Sequence, residues 1–180
     1  MKKIFLLLFL PFLLVGCGQK TMNTPTKKVE MFFANYQSLD DKVIEQLNDV
    51  ANEEELFNTE QRESYIELMK KHYQGLTYEI KDEVVDGDTA TVTVEIEVTD
   101  YSKSLSDAED YLNNNKAEFN DENDEYDESL FTTYRLDRLK ESTDKVKYTL
   151  NIYLTKVDDE WQIDDLSETD RMKINGMYEY

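Results

Sequence analysis

The chain of 180 residues is poor in several residue types that build functional sites. It has one Cys and one His, which excludes an intramolecular disulfide framework, a multi-Cys zinc site and a His-rich metal centre. Basic residues number 20 against 40 acidic ones, and the net charge of −20 argues against a nucleic-acid partner, because phosphate neutralisation needs basic clusters. The sequence also has no glycine-rich phosphate loop and no serine nucleophile elbow. Hydrophobic residues at 39% still suffice for a folded core.

The N-terminal segment has the parts of an export signal. Lys2 and Lys3 form a short positive region, and an apolar run from Ile4 to Val15 follows it. A permanent membrane-spanning helix needs about 20 apolar residues, so this run is too short to be one. Its proportions are those of the apolar part of a signal peptide.

The end of this run resembles the lipobox of bacterial lipoproteins, in the sequence Leu14, Val15, Gly16, Cys17. The resemblance implies cleavage after Gly16 and a diacylglyceryl group on Cys17, whose two acyl chains would hold the protein on the membrane. The alternatives are an ordinary signal peptide or a buried free thiol. We therefore predict a lipoprotein signal peptide at 1–16, a lipidated Cys and tether at 17–23, and a location on the extracytoplasmic face of a Gram-positive cell membrane.

Three amphipathic helices are predicted next. Thr24 and Pro25 are typical of an N-cap and first helical position, Asp40 can cap a second helix, and a third helix is predicted from about Thr59 to Gln74, ended by Gly75. Apolar residues at helical spacing are expected to face inward: Val29, Phe32, Phe33, Tyr36, Val43, Leu47, Val50, Ala51, Tyr65, Ile66, Met69 and Tyr73.

Alternating apolar and polar residues then predict two hairpins of an antiparallel sheet with one wet face. The first turns at 86–88 and the second at 158–160. The inward set is Leu76, Tyr78, Ile80, Val84, Ala90, Val92, Val94, Ile96 and Val98, then Val146, Tyr148, Leu150, Ile152, Leu154, Trp161 and Ile163.

A helical excursion is predicted between the hairpins, at about 101–143. Ser106 and Glu109 have the spacing of a capping box that opens a helix, and residues 113–128 are polar and predicted as a loop or a poorly formed helix. Leu130, Phe131, Tyr134 and Leu139 mark a further helix.

This layout resembles the cystatin-like roll of the nuclear transport factor 2-like superfamily, and its lipid-anchored members in particular. The similarity is carried by Thr24-Pro25, by 85–92 and 159–164, and by a possible short Gly-containing helix at 171–177. It implies an α+β domain at 24–180, in which N-terminal helices pack on a curved, mainly antiparallel sheet.

Candidate chemistry is sparse. Enzymes of this superfamily use a cone-shaped pocket in which a carboxylate, His or Tyr moves a proton. Tyr78 and Tyr148 are the polar exceptions among the inward positions, and we interpret them as core residues with hydroxyls at the rim. His72, beside Lys70 and Lys71, is interpreted as a structural or solvent-facing residue near a helix C-terminus.

The densest acidic run, at 120–128, places Asp121, Asn123 and Glu125 at alternating positions that could bind a cation. The EF-hand pattern fails, because Tyr126 replaces the required Gly and Thr132 replaces the bidentate Glu. We interpret the run as a solvated loop, with a weak cation-binding surface as the alternative.

Together these patterns predict a lipid-anchored, non-enzymatic domain, without a cofactor or metal, that binds a protein or small molecule at the cell surface. The alternative is a small enzyme or ligand carrier with an open cone. The two differ in whether Phe32, Phe33 and Trp161 fill the space between helices and sheet.

Overall fold

A computed structural model of the protein describes residues 23–53 and 57–179 and has an α+β architecture. The predictions for Leu14, Val15, Gly16 and Cys17 lie outside the described residues. In chain order the elements are α1 (Pro25–Ser38), α2 (Asp41–Glu53), α3 (Thr59–Gln74), β1 (Thr77–Asp86), β2 (Thr89–Thr99), α4 (Ser102–Asn114), a 3₁₀ turn (Lys116–Phe119), α5 (Glu128–Glu141), β3 (Lys145–Val157), β4 (Glu160–Ile163) and α6 (Glu168–Ile174).

The strands form one antiparallel sheet in the order β1-β2-β3-β4. Both predicted hairpins are present, and the pairing of β2 with β3 joins them, with Val94 opposite Leu150. The segment 101–143, with α4, the 3₁₀ turn and α5, lies between these two neighbouring strands in sequence, and we call it the helical insertion.

The alternation in β2 and β3 decides which face of the sheet is covered. Its apolar positions are almost fully buried: Val92, Val94, Ile96, Val98, Leu150, Ile152 and Leu154. The opposite face is polar, and the Glu95 carboxylate lies 3.1 Å from the Lys147 ammonium and 3.5 Å from that of Lys81. The sheet therefore has one dry face and one wet face, as predicted.

The prediction for the second half of β1 is wrong. A register shift between Ile80 and Asp82 turns the following residues over, because side chains alternate with a period of two and one extra residue exchanges the faces. Val84, predicted to face inward, is 58% exposed, while Tyr78 and Ile80 before the shift pack on the core.

Helix α1 covers the dry face, where Val29 and Phe33 are fully buried. It begins as predicted: the Thr24 side chain accepts a hydrogen bond from the Lys27 amide at 3.2 Å. Pro25 has no N–H, and at the first position of a helix the N–H has no partner within the helix, so proline fits there. We call α1, the four strands and α6 the sheet layer.

The start of α1 is tied to both edge strands of the sheet. The Thr26 amide donates to the Glu83 carboxylate of β1 at 2.8 Å, and the Lys28 ammonium lies 3.0 Å from the Glu160 carboxylate of β4. Before the helix, the Asn23 side chain accepts from the Trp161 amide at 3.0 Å and donates to the Asp159 carbonyl at 2.6 Å.

Helices α2 and α3 pack beside α1 around a second core with Leu47, Leu68 and Met69. Asp40 accepts a hydrogen bond from the Lys42 amide at the start of α2, as its predicted capping role requires. Val50, predicted to face inward, is 54% exposed. Gly75 ends α3 with φ −88°, so the helix stops there without a left-handed residue.

The start of the helical insertion differs from the prediction. Helix α4 begins at Ser102 rather than Ser106, because the Asp100 carboxylate accepts from both the Ser102 amide (3.0 Å) and its hydroxyl (2.6 Å). A small core of Ala108, Phe119 and Phe131 holds α4, the 3₁₀ turn and α5 together.

Candidate functional site

A cleft of about 630 Å³ lies between the helices α1–α3 and the segment that runs from the end of β4 into α6. One wall is formed by α2, with Leu47 and Val50, and the other by Ile163, Leu166 and Ile174. The volume is in the range of small-molecule sites, which are concave and mostly apolar with a few placed polar groups. We call this space the cleft.

Aromatic rings form the floor of the cleft. The ring of Tyr36 lies 5.1 Å from that of Phe32 and 4.8 Å, edge-on, from that of Tyr73. The Tyr73 hydroxyl donates to the Asn175 side-chain oxygen at 3.2 Å, which leaves the Asn175 amide group as a donor beside it. Burial raises the pKa of Tyr73 well above its usual range, so this hydroxyl stays protonated.

Tyr36 is the half-buried polar group at the centre of the floor. Burial raises the pKa of its hydroxyl, and the positive charge of Arg171 opposes that rise. The structure gives this hydroxyl no hydrogen-bond partner among residues 23–53 and 57–179. It is therefore available to a bound molecule as a neutral donor or acceptor.

Charged groups surround the opening. Asp49 and Glu53 stand on the α2 side, and Asp164 and Asp165 stand on the opposite side. In the part of the chain that the structure describes, none of these four carboxylates is in an ion pair. Arg171 of α6, which also lines the cleft, is in none either. The cleft thus joins an aromatic floor to an acidic rim.

Neither tyrosine singled out in the sequence lines the cleft. Tyr78 stacks on Phe33 with ring centroids 5.0 Å apart, and its hydroxyl donates to the Glu30 carbonyl at 3.4 Å. The buried Tyr148 donates to the Tyr178 carbonyl at 3.3 Å. Both belong to the core, with their hydroxyls on backbone carbonyls.

The space directly against the sheet is filled. Phe33 and Trp161 are both buried on its dry face, as is Ile174 from α6. Phe32 is half-buried: it packs against the edge of this core and also lines the cleft. The cleft therefore lies beside the packed core, at the end of β4, and not over the centre of the sheet.

His72 is buried, so the structural interpretation of this residue is confirmed and the solvent-facing one is wrong. Its Nε2 lies 2.8 Å from the Ile174 carbonyl, which requires a proton on that nitrogen, while Nδ1 has no partner in the described part of the chain. Burial lowers the pKa of His72 to about 4, although the bond to Ile174 opposes that shift. The residue joins α3 to the end of α6 as a neutral imidazole.

The acidic run at 120–128 is an exposed loop closed by its own hydrogen bonds. The Asp121 carboxylate accepts from the Asn123 amide at 2.8 Å and from the Glu125 amide at 3.0 Å, and these bonds lower the pKa of Asp121. Among the described residues, no group of three or more His, Cys, Asp and Glu side chains is placed to hold a metal ion. The Asp121 carboxylate thus serves the backbone of its own loop.

Sequence reasoning did not find the cleft. Tyr36 and Tyr73 were expected to face inward as helix-stripe residues, but their neighbour Asn175 lies 102 positions after Tyr73 and is brought there only by the fold. The local sequence around Arg171 gives a short helix and does not indicate what that helix contacts.

Comparison of the chain with protein families, curated proteins and solved structures found no match. Within 23–53 and 57–179, no helix has the length and apolar character needed to cross a bilayer.

Proposed function

We propose that this protein is a lipid-anchored, extracytoplasmic binding protein that holds a small ligand in the cleft between α2 and α6. The observation that carries the proposal is the cleft itself, about 630 Å³ with an aromatic floor, beside a core that is otherwise closely packed. Phe32, Val50 and Leu166 of its lining are in part exposed to water, and a ligand that covered them would gain that apolar contact.

The anchor is the second part of the proposal and rests on the sequence. Cys17 follows the apolar run at the position where a lipobox needs it, and it is the one Cys of the chain. Asn23, the first described residue, accepts a hydrogen bond from the Trp161 amide, so the five residues 18–22 would keep the domain within roughly 20 Å of the membrane surface. The protein would then meet its ligand close to the bilayer.

The finer fold assignment also belongs to the proposal. Helices on one face of an antiparallel sheet, with two hairpins and a short final helix, suit the cystatin-like roll of nuclear transport factor 2-like proteins. In that arrangement the helical insertion would be an addition to the minimal roll.

The groups in the cleft favour binding over catalysis. A catalytic base should titrate near the working pH, whereas burial raises the pKa of both Tyr36 and Tyr73 away from neutrality. The neutral hydroxyl of Tyr36 and the amide of Asn175 are hydrogen-bonding groups that orient a ligand. We therefore propose no chemical step for this site.

The cleft can be tested with a neutral apolar dye such as Nile red and a variant that fills the space. Val50 lines the cleft and is 54% exposed, so Val50→Trp adds bulk there without disturbing a packed core. Val84→Trp is the matched control, because Val84 is 58% exposed on the sheet. We expect dye binding to the wild type and to Val84→Trp, and strongly weakened binding to Val50→Trp. Equal binding to all three would contradict the proposed site.

The anchor is tested separately by metabolic labelling with a fatty acid. Cys17→Ala should abolish the label and release the protein from the membrane or leave its signal unprocessed. Persistent labelling of this variant would refute the anchor and leave the cleft proposal standing.

A further inference from the structure

We propose that the ligand of the cleft is an organic cation: an amine with an apolar body, whose body lies on the aromatic floor and whose charge lies at the acidic rim. This inference rests on the proposed function and adds the chemical class of the ligand.

The first argument is the charge at the opening. Four carboxylates line the cleft, from Asp49 and Glu53 on α2 and from Asp164 and Asp165 after β4, against the one guanidinium of Arg171. A cation between the two sides would be attracted from both, and the acidic chain around it adds to that attraction. An anion would meet the opposite potential.

The four carboxylates are free to take a charged partner, because none of them is in an ion pair with another described residue. Among the described residues, the side-chain hydrogen bond to this rim is the one that Asp164 accepts from the Thr155 hydroxyl, at 3.2 Å.

The aromatic rings of the floor also favour a cation with an apolar body. The faces of Tyr and Phe rings carry negative potential and attract cations, and they also cover apolar groups. Phe32, Tyr36 and Tyr73 lie ring against ring at the base of the cleft, so an amine and its body could both contact them.

The positive charge of Arg171 would orient such a ligand within the cleft. Its charge acts on Tyr36, which places it near the α6 side of the floor. The ammonium group would be repelled from that side and held toward Asp49 and Glu53 on α2. Removal of the Arg171 charge should therefore strengthen the binding of a cation, and the sign of this effect separates cationic from anionic ligands.

The experiment compares three probes with the same body, 4-phenylbutylamine, 4-phenyl-1-butanol and 4-phenylbutyrate, by calorimetric titration of the folded protein. We expect the amine to bind about tenfold more tightly than the alcohol, as one or two partly screened ion pairs would give, and the butyrate to bind more weakly than either. Added salt should weaken binding of the amine and leave that of the alcohol unchanged.

Variants locate the effect. Asp49→Asn with Glu53→Gln should reduce the tenfold preference for the amine and leave the alcohol unchanged. The matched control is Asp107→Asn with Asp110→Asn, which removes the same charge from exposed positions of α4. This control should retain the preference, and Arg171→Gln should tighten amine binding.

The outcomes are distinguishable from failure of the proposed function. If the alcohol and Nile red bind but the amine binds no more tightly, the cation inference is overturned and the cleft remains a binding site. Tighter binding of butyrate, weaker amine binding by Arg171→Gln, or an equal loss in the α4 control would also overturn it. If no probe binds at all, the proposed function fails as well.

Discussion

The sheet layer and the helical insertion are built around cores of very different size. In the sheet layer, a continuous set of side chains from α1, β2, β3 and α6 is buried on one face, with Phe33, Ile96 and Leu150 among its largest members. The insertion has a small core of Ala108, Phe119 and Phe131, ringed by half-buried residues. A large core depends on every strand at once, whereas a small one can open by itself.

The insertion is attached to the rest of the domain mainly through α3. The buried Gln61 side chain donates to the Ser129 carbonyl at 2.8 Å and to the Thr133 hydroxyl at 2.9 Å, and Leu139 packs in the core of α2 and α3. The two regions are thus joined by a few polar contacts on α3 and by apolar side chains of the insertion, Tyr101 and Leu139, in the core of α2 and α3. We therefore expect changes in the insertion to stay local and changes in the sheet to be global.

The largest expected effect is in the sheet layer. Leu150→Ala removes a fully buried side chain from the central pair of strands and should lower the free energy of unfolding by about 3–4 kcal/mol. Urea denaturation followed by circular dichroism and by Trp161 fluorescence should give one shared transition. Thr149→Ala, on the wet face of the same strand, should change stability by less than about 0.5 kcal/mol. Two separated transitions in Leu150→Ala would contradict a single cooperative sheet layer.

Phe119→Ala tests the insertion. The variant removes the ring that contacts Phe131 at 5.4 Å and Tyr111 at 6.2 Å. The local cost should be about 3 kcal/mol, the low end for Phe→Ala, because this core is small and ringed by half-buried residues. Hydrogen exchange should accelerate in α4, the 3₁₀ turn and α5, with the amides of β2 and β3 still protected. Leu130→Ala, at a 44% exposed position of α5, is the control with little effect. Equal loss of protection in the strands would show that the two regions unfold together.

His72, which joins α3 to α6, makes the stability of the fold depend on pH. Its folded-state pKa of about 4 lies below the ordinary value of 6.5, so the unfolded chain takes up the proton first as pH falls. The stabilisation is complete above pH 6.5 and is lost between pH 6.5 and 4. When the pH is lowered from 7.5 to 5, protonation linked to His72 should lower the free energy of unfolding by about 2 kcal/mol.

The measurement compares the wild type with His72→Gln, whose amide can still donate to the Ile174 carbonyl but does not titrate. Urea denaturation at both pH values should show the wild type losing about 2 kcal/mol more than the variant. Parallel losses would mean that His72 does not carry the effect.

The smallest expected effect is at the junction. Gln61→Ala removes the contacts to Ser129 and Thr133 and should cost about 1–2 kcal/mol, because neutral hydrogen bonds are worth little net and the partners can be rehydrated near the surface. Gln74→Ala, at the exposed end of the same helix, is the control. If Gln61→Ala were to destabilise the sheet layer as much as Leu150→Ala, the separation of the two regions would be wrong.

The sequence predicted the structure well where a local pattern determines it, as in the central strands of the sheet. In β2 and β3 apolar and polar residues alternate, and this local alternation alone determines which side chains face inward. The two strands and their dry face could therefore be predicted from the sequence. The α+β class and both turns followed as well. The helix α3 was bounded correctly because Asn58 and Gly75 mark its ends locally.

The predictions failed where contacts with distant residues, or a competing local contact, determine the structure. Ser106 had a capping pattern, but α4 begins four residues earlier, at Ser102, whose amide donates to the Asp100 carboxylate. The register shift in β1 exposes Val84, and no local signal marks it. The cleft could not be predicted because its walls come from α2 and from the segment after β4, which are more than a hundred positions apart.

The attachment of the first residues of the domain has a mechanical consequence. If the protein is anchored at Cys17 as proposed, Asn23 is the first described residue through which a pull on the anchor would reach the fold. Asn23 and Lys28 connect this region to β4, and Thr26 connects it to Glu83 on β1. Because these are the two outer strands of the sheet, such a pull would load both edges of the sheet instead of peeling one strand away.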